Sequence, residues 1–223
     1  MKNVLILVTN HATLGTTSEP NGTYAPELTH ALNVFIQSGI GYEIASIQGG
    51  AAPLYGTDIA DDEVNRQILA DEEFVSKINN TIPSSQIDMS RFDAVFYPGG
   101  FGLLSDLAEH EATAALVAKF YENNGVIGAV CHGPAGLLPI TLSNGKKLIA
   151  NKAVTGFTRE EEIDFGTIDN IPFLLEESLS RSAAQYRKVQ PWGEHIVEDE
   201  RLVTGQNPAS AHAVGKAIVE MIK

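Results

Sequence analysis

The single cysteine of this 223-residue chain lies in a segment whose residue types suit a reactive thiol. Cys131 is followed by His132, Gly133 and Pro134, and segment 128–134 comes directly after the apolar run 125–127. The pattern predicts a strand, a sharp turn carrying the thiol, and a helix that begins at once, as in a nucleophile elbow. We expect the turn to expose the sulfur and the N-terminus of the helix to favour its thiolate form. The alternative is a buried structural cysteine, a common role for a free thiol.

A glycine pair at the end of another apolar run is a second candidate for chemistry. Gly99 and Gly100 follow Pro98, but their segment lacks the spacing of a dinucleotide fingerprint and the Lys-Ser/Thr of a P-loop. Glycines let backbone N–H groups approach a substrate oxygen, so we interpret the pair as part of an oxyanion hole. In that interpretation the amides of Gly100 and His132 donate together. A plain tight turn is the alternative.

Acidic side chains provide candidates for proton transfer. Glu27 falls early in the first predicted helix, where it either complements the helix dipole or, beside a thiolate, holds a proton at raised pKa. His30 lies one turn further on, and zinc held by Glu27, His30 and Cys131 is an alternative. Two such ligands on one helix do not make a site, so we expect no metal and no cofactor. The acids from Glu160 to Glu162 either orient a histidine or form a solvated face.

Charge and composition narrow the class of partner. A net charge of −13 and a pI near 4.8 disfavour binding to nucleic acid or to an anionic membrane. No apolar stretch reaches the roughly 20 residues of a transmembrane helix. One cysteine cannot form an internal disulfide, which fits a reducing compartment. We therefore expect a cytoplasmic protein that takes a small-molecule substrate and has no nucleic-acid or membrane partner.

Strand and helix patterns alternate along the chain. The strand-like segments are 4–8, 42–46, 92–97, the run before Cys131, 147–149, 153–155 and 201–204. The helix-like segments are 26–38, 61–79 with a break near Asp71, 111–123, the segment after the elbow, and 209–222.

This alternation predicts an α/β fold. We expect a flavodoxin-like three-layer sandwich, in which helices cover both faces of a mainly parallel central sheet. A single domain over residues 1–223 is large enough for one core. Ligands bind at the carboxyl ends of the strands in such folds, and both the glycine pair and Cys131 are predicted to lie there.

Six motifs in this order resemble the ThiJ/PfpI superfamily, whose fold resembles the class I glutamine amidotransferase domain. The motifs are the Glu27 helix and segments 97–100, 129–134, 155–162, 172–176 and 204–210. The chain most resembles the branch of heat-shock chaperones with glutathione-independent glyoxalase (glyoxalase III) activity. The resemblance implies a homodimer.

The resemblance also implies a Cys-His-Glu site. Cys131 would be the nucleophile and His132 its partner, with an acid orienting the imidazole; spacing favours Glu162, with Glu161 second. Glu27 would lie against the thiol and shuttle protons. The implied reaction converts methylglyoxal or a related small reactive aldehyde to a hydroxy acid, without glutathione.

The residue after the glycine pair departs from that branch and leaves the substrate open. Members usually carry histidine after the paired glycines, whereas this chain has Phe101, which makes the predicted pocket more apolar. Two other functions fit the same motifs. One is a stress chaperone or oxidation sensor, because a thiolate beside a carboxylic acid is prone to sulfinic oxidation. The other is amide or peptide hydrolysis by the same Cys-His-Glu site.

Overall fold

The structure is a computed structural model that describes residues 2–223, and its strands fall into one large and two small sheets. The strands of this region are β1 (Asn3–Leu7), β2 (Thr23–Tyr24), β3 (Gly41–Ser46), β4 (Leu54–Tyr55), β5 (Ile82–Pro83), β6 (Ala94–Tyr97), β7 (Val126–Val130), β8 (Ala153–Val154), β9 (Gln185–Tyr186), β10 (Ile196–Asp199) and β11 (Leu202–Gly205). The two small sheets are the parallel pairs β2–β4 and β8–β9.

The central sheet has seven strands in the order β10-β11-β7-β6-β1-β3-β5. All neighbours are parallel except β10 and β11, which form an antiparallel pair at one edge. Every residue of β6 and β7 is buried. Successive side chains of a strand point to opposite faces, so both faces of the sheet are covered. The predicted α/β fold with a mainly parallel sheet is confirmed.

Helices connect and cover these strands. The α-helices of the described chain are α1 (Ala25–Gln37), α2 (Glu63–Ala70), α3 (Glu72–Asn79), α4 (Gly102–Ser105), α5 (Glu111–Glu122), α6 (Arg159–Phe165), α7 (Leu175–Ser182) and α8 (Ala211–Ile222). Short 3-10 helices occupy Ser84–Gln86, Met89–Arg91, Gly133–Leu137 and Pro208–Ser210. Helices α1 and α8 pack closely, since a Cβ on Gly215 would lie 3.1 Å from the Cα of Ala31.

The predicted break near Asp71 is confirmed. Asp71 ends α2 and begins α3, and its carboxylate accepts a hydrogen bond from the Phe74 N–H at 2.9 Å. This satisfies one of the free amides at the start of α3, which is why a short acidic side chain at this position starts a new helix rather than continuing the old one.

Other sequence-based boundaries need correction. Segment 147–149 is not a strand: only Lys147 forms an isolated bridge, and a turn follows. The helix after Cys131 is a 3-10 helix of only five residues, Gly133–Leu137, all of them buried. The closing helix starts as a 3-10 turn at Pro208 and becomes α-helical at Ala211. The hydrophobic periodicity of the sequence does not indicate strand β10 or helices α6 and α7.

Candidate active site

The ends of two neighbouring strands bring the glycine pair and the cysteine together. Strand β6 ends at Tyr97 and β7 at Val130, and the two are parallel neighbours. The residues that follow them therefore emerge at the same edge of the sheet. A Cβ on Gly99 would lie 2.7 Å from the Cβ of Cys131, so no larger residue fits at this position. The carboxyl edge of the sheet holds the site.

Cys131 has the backbone conformation of a nucleophile elbow. Its φ is +59°, in the left-handed region that residues with a Cβ rarely occupy. Hydrogen bonds hold this turn on both sides: the Cys131 N–H donates to the Gly205 carbonyl at 2.9 Å, and the Phe157 N–H donates to the Cys131 carbonyl at 2.9 Å. A Cβ on Gly133 would lie 2.3 Å from the Tyr97 carbonyl oxygen, which explains the glycine two residues on. Tertiary contacts thus stabilise a conformation that is locally unfavourable.

The thiol itself is enclosed, so the expected exposed and helix-activated thiolate is wrong. Cys131 is 4% exposed. Burial, together with the neighbouring Glu27 carboxyl, raises the pKa of the thiol well above its ordinary value. The 3-10 helix that follows has only five residues and offers little dipole to oppose this. Any activation of the sulfur must come from its partners in the site.

Glu27 is fully buried beside the thiol, and α1 places it there. The helix starts with Ala25 and Pro26, and the N–H of the capping residue Tyr24 donates to the Gly99 carbonyl at 3.1 Å. This bond fixes the first turn of α1 against the glycine loop. A Cβ on Gly99 would lie 2.0 Å from Oε2 of Glu27, so the absent side chain makes room for the carboxyl group.

The Glu27 carboxyl group holds its proton near neutral pH. Within residues 2–223 neither of its oxygens has a hydrogen-bond partner of good geometry. Burial raises its pKa to about 8, although the Cys131 thiol and the Gly99 backbone partly offset the rise. A protonated Glu27 carries no charge, so it removes the electrostatic part of the penalty on a thiolate and leaves a donor facing the sulfur. The two groups share protons as a pair.

His132 links the thiol to Glu162. The Sγ of Cys131 lies 3.4 Å from Nδ1 of His132, and Nε2 lies 2.7 Å from Oε1 of Glu162. The second oxygen of Glu162 accepts from the Thr167 hydroxyl at 2.5 Å. Both imidazole and carboxylate are about 1% exposed. The three side chains are arranged as the nucleophile, base and orienting acid of a catalytic triad would be.

The neighbouring acid Glu161 has a different environment. It completes a capping box with Thr158 at the start of α6. Its carboxylate also accepts from the Trp192 backbone N–H at 2.8 Å and from the side-chain amides of Gln206 and Asn207 at 3.1 and 2.8 Å. These bonds join α6 to two loops. Glu162, not Glu161, therefore contacts His132.

Two aromatic rings enclose the imidazole. The ring centroids of Phe101 and Phe157 lie 4.4 and 4.5 Å from that of His132. A cavity of about 70 Å³ lies over the thiol. Its lining comprises Tyr24, Tyr55, Phe101, Cys131, His132, Phe157, Phe165, Trp192 and Pro208. Phe101 is thus part of the pocket wall, and the wall is mainly aromatic.

Comparison with known proteins identifies the family of the fold and site. A family model described as the DJ-1/PfpI family matches residues 20–221. The chain belongs to the DJ-1/PfpI family. The glutathione-independent glyoxalase HSP31 of Saccharomyces cerevisiae is 30% identical over 217 residues, covering 91% of this chain and 90% of the relative. Glyoxalase 3 of Candida albicans is 28% identical, covering 98% and 97%.

Solved structures of DJ-1/PfpI-like proteins superpose closely on this chain. The Rapid Encystment Protein 24 KDa of Francisella tularensis gives a TM-score of 0.95 at 35% identity, with 100% of both chains covered. Glyoxalase III of Candida albicans gives 0.87 at 25% identity, covering 100% of this chain and 98% of that one. The match extends over the whole sheet and its helices.

The zinc alternative within this DJ-1/PfpI chain does not agree with the geometry. Nε2 of His30 lies 2.9 Å from both carboxylate oxygens of Asp62, so the imidazole pairs with that acid rather than joining Glu27 and Cys131. Across residues 2–223 no group of three His, Cys, Asp or Glu side chains is arranged to hold a metal ion. In the same region, no helix is both long enough and apolar enough to cross a membrane.

Sequence reasoning missed most of the pocket wall. Tyr24 and Tyr55 come from the small β2–β4 sheet, and their rings pack 4.9 Å apart. Phe165 and Trp192 come from α6 and from a loop with no regular structure. No local periodicity marks these residues. Among these wall residues only Trp192 could be noticed in the sequence, because it is the only tryptophan of the chain.

Proposed function

We propose that this protein is a glutathione-independent glyoxalase, which converts methylglyoxal or a related small 2-oxoaldehyde to the 2-hydroxy acid with Cys131 as nucleophile. The observation that carries the proposal is the fully buried carboxyl group of Glu27 beside an enclosed thiol, with its pKa raised to about 8 by burial. An isomerisation that moves hydrogen between two carbons needs a group that both gives and takes a proton. The relatives named as glyoxalases support the same reaction class.

The first step forms a hemithioacetal. The sulfur of Cys131 adds to the aldehyde carbon, C1, while the thiol proton passes to Nδ1 of His132 at 3.4 Å. The proton of Glu27 passes to the aldehyde oxygen. In the described chain no backbone oxygen accepts from the Gly100 or His132 amide, so both are free to stabilise that oxygen as negative charge develops. The step leaves Glu27 ionised and His132 cationic.

The second and third steps move hydrogen from C1 to C2. The Glu27 carboxylate removes the C1 proton and His132 protonates the ketone oxygen, which gives an enediol. His132 then takes the C1 hydroxyl proton, and Glu27 returns its proton to C2. The aldehyde carbon is oxidised and the ketone carbon is reduced, so no external electron acceptor is needed. The product of these steps is a thioester of the 2-hydroxy acid on Cys131.

The last step releases the acid. Glu27 takes a proton from water as the oxygen adds to the thioester carbon; the S–C bond breaks, and the sulfur recovers its proton from His132. Glu162, at 2.7 Å from Nε2, stabilises the imidazolium in each cationic stage. The sum is one oxoaldehyde plus one water to one 2-hydroxy acid, with every catalytic group returned to its starting protonation.

The size of the cavity supports a small substrate over a peptide. Its volume of about 70 Å³ is well below the roughly 300–1,000 Å³ of pockets that bind drug-sized ligands. Location in the cytoplasm, the homodimer and a single domain over residues 1–223 remain predictions.

Replacement of Cys131 tests the proposal. With methylglyoxal and no glutathione, the wild-type protein should form lactate, and Cys131→Ser should reduce kcat by at least about 10³-fold, because the hydroxyl is a far weaker nucleophile. Glu160→Gln is a matched control: it removes one carboxylate near the site on a side chain that is exposed. Lactate formation by Cys131→Ser at the wild-type rate would contradict the proposal.

A further inference from the structure

We propose that Phe165 and Trp192 form a subsite for a flat, apolar substituent on the substrate, so that aryl-substituted 2-oxoaldehydes react with higher kcat/KM than methylglyoxal. This inference rests on the proposed glyoxalase function and names the substrate class that the site prefers. Its basis is the arrangement of rings from the imidazole outward to solvent.

One small pocket contains both the thiol and the outer rings. The cavity over Cys131 measures about 70 Å³, and its lining includes the partly exposed rings of Phe165 and Trp192. A substrate held at the thiol therefore extends its substituent along these two rings.

A continuous set of aromatic rings leads from the head to the mouth. Phe101, which stacks on His132, has its centroid 5.9 Å from that of Phe165, with the planes 31° apart. Phe165 lies 6.3 Å from Trp192. Trp192 in turn lies 5.7 Å from Phe157, the second ring against His132, at an interplanar angle of 70°. These separations are those of interacting ring pairs, and they form one apolar wall.

The outer two rings of this wall are only partly covered. Phe165 is 56% exposed and Trp192 is 42% exposed, whereas Phe101 and Phe157 are each 3% exposed. Exposure of an aromatic ring to water is unfavourable. A flat apolar group bound beside the opening of the pocket would cover the two rings. A methyl group covers much less of this apolar surface than an aryl group does.

The fold holds both outer rings in fixed positions. Trp192 has φ of +65°; its backbone N–H donates to Glu161 at 2.8 Å and its indole N–H donates to Asp164 at 3.3 Å. Phe165 is the last residue of α6, and Gly166 ends the helix with φ of +76°. Phe165 lies three residues after Glu162 on the same helix. Aromatic faces fixed in this way are suited to selecting a substituent by shape.

The charges at the mouth favour a neutral substituent. Asp164 places a carboxylate against the Trp192 indole, and the chain as a whole has a net charge of −13. A substituent that carries carboxylate or phosphate would meet like charge there. The subsite therefore suits an aryl group rather than a charged one.

Steady-state kinetics with phenylglyoxal and methylglyoxal test the proposal. The wild-type ratio of kcat/KM should favour phenylglyoxal, and this ratio should fall by about 3- to 10-fold in Phe165→Ala and in Trp192→Ala, mainly through KM for phenylglyoxal, as expected for the loss of one ring contact. Ile163→Ala is the matched control. Ile163 is a large apolar residue of the same helix, 52% exposed and outside the pocket lining, so the ratio should stay at its wild-type value.

A binding measurement separates the two proposals. Trp192 is the only tryptophan, so its fluorescence reports directly on the mouth of the pocket. Acetophenone, an aryl ketone without the reactive aldehyde, should quench this fluorescence at lower concentration than acetone, and Phe165→Ala should weaken the effect. Equal kinetic ratios in the wild type and both variants would overturn the subsite alone. If neither aldehyde is turned over, the glyoxalase function fails, and acetophenone quenching alone then decides whether the subsite exists.

Discussion

Glu27 and Glu162 are both excluded from solvent, and each touches one member of the Cys131–His132 pair, yet they differ in hydrogen bonding. Glu162 accepts from His132 at 2.7 Å and from Thr167 at 2.5 Å. Glu27 has no partner of good geometry within residues 2–223, and its pKa is raised to about 8 by burial. Hydrogen-bond donors favour the charged form of a buried carboxyl group, and burial favours the neutral form.

We propose separate tasks for the two acids. In this proposal Glu162 orients the imidazole and stabilises its cationic form, while Glu27 gives its proton to the substrate oxygen and later takes another. Paired carboxyl groups in unlike environments divide the work in this way in known enzymes.

Glu27→Gln should have the largest effect on activity. The amide preserves volume and burial but cannot transfer a proton, so kcat for methylglyoxal should fall by about 10²- to 10⁴-fold. The fall should appear in kcat rather than in KM, and far-UV circular dichroism should confirm that the variant folds. A change confined to KM would assign Glu27 to substrate binding instead.

Glu27 should also make stability depend on pH. Its pKa is about 8 in the folded chain against 4.5 as the ordinary value, so its contribution to stability is fully present below pH 4.5 and is lost as pH rises toward 8. Relative to Glu27→Gln, the wild-type free energy of unfolding should fall by roughly 4 kcal/mol between pH 5 and pH 8. Urea titrations of both proteins measure this difference, and parallel curves would show that Glu27 is ionised when folded.

Glu162→Gln should have a smaller effect than Glu27→Gln. The amide can still accept from His132 but no longer neutralises the imidazolium, and a hydrogen bond to a charged group contributes about 1.5–3 kcal/mol. We expect kcat to fall by about 10- to 100-fold. Glu161→Gln provides the comparison, because the hydrogen bonds of Glu161 join loops and do not contact His132. We expect this variant to lower the free energy of unfolding and to leave kcat closer to the wild-type value than Glu162→Gln does.

Thr167→Val should lower kcat less than Glu27→Gln or Glu162→Gln does. It removes one donor from Glu162 while that carboxylate keeps its contact with His132. A hydrogen bond to a charged group contributes about 1.5–3 kcal/mol, but this one does not touch the imidazole, so only part of it should reach the transition state and kcat should fall by about 2- to 10-fold. Thr141→Val, in an exposed loop, is the control. A loss as large as that of Glu162→Gln would mean that Thr167 fixes the position of the acid.

Local patterns in the sequence predict the parts of the molecule that depend on neighbouring residues. The alternation of strand and helix patterns predicts the parallel sheet, and Asp71 predicts the helix break. The ends of two predicted strands predict that Gly99 and Cys131 lie close together. The spacing that favours Glu162 over Glu161 agrees with the contact to His132. Each of these features is set within a few residues of chain or by the regular geometry of a parallel sheet.

Local sequence patterns do not predict features that depend on contacts between distant segments of the chain. The thiol is enclosed because Tyr24, Tyr55 and Phe165 arrive from three separate segments, none of which has a distinctive pattern. The pKa of Glu27 rises because its side chain is fully buried, and burial is a property of the folded chain. Strand β10 pairs only at an edge, and its short alternating run resembles a loop.

Infrared difference spectroscopy tests the central claim most directly, because the C=O stretch of a protonated carboxyl group is separate from that of a carboxylate. A C=O band that is present in the wild-type protein and absent from Glu27→Gln comes from the protonated Glu27 alone. We predict that this band persists through neutral pH and titrates with a midpoint of about 8. Loss of the band near pH 4.5, the ordinary value for a glutamate, would show that Glu27 is ionised at neutral pH and cannot supply the proton.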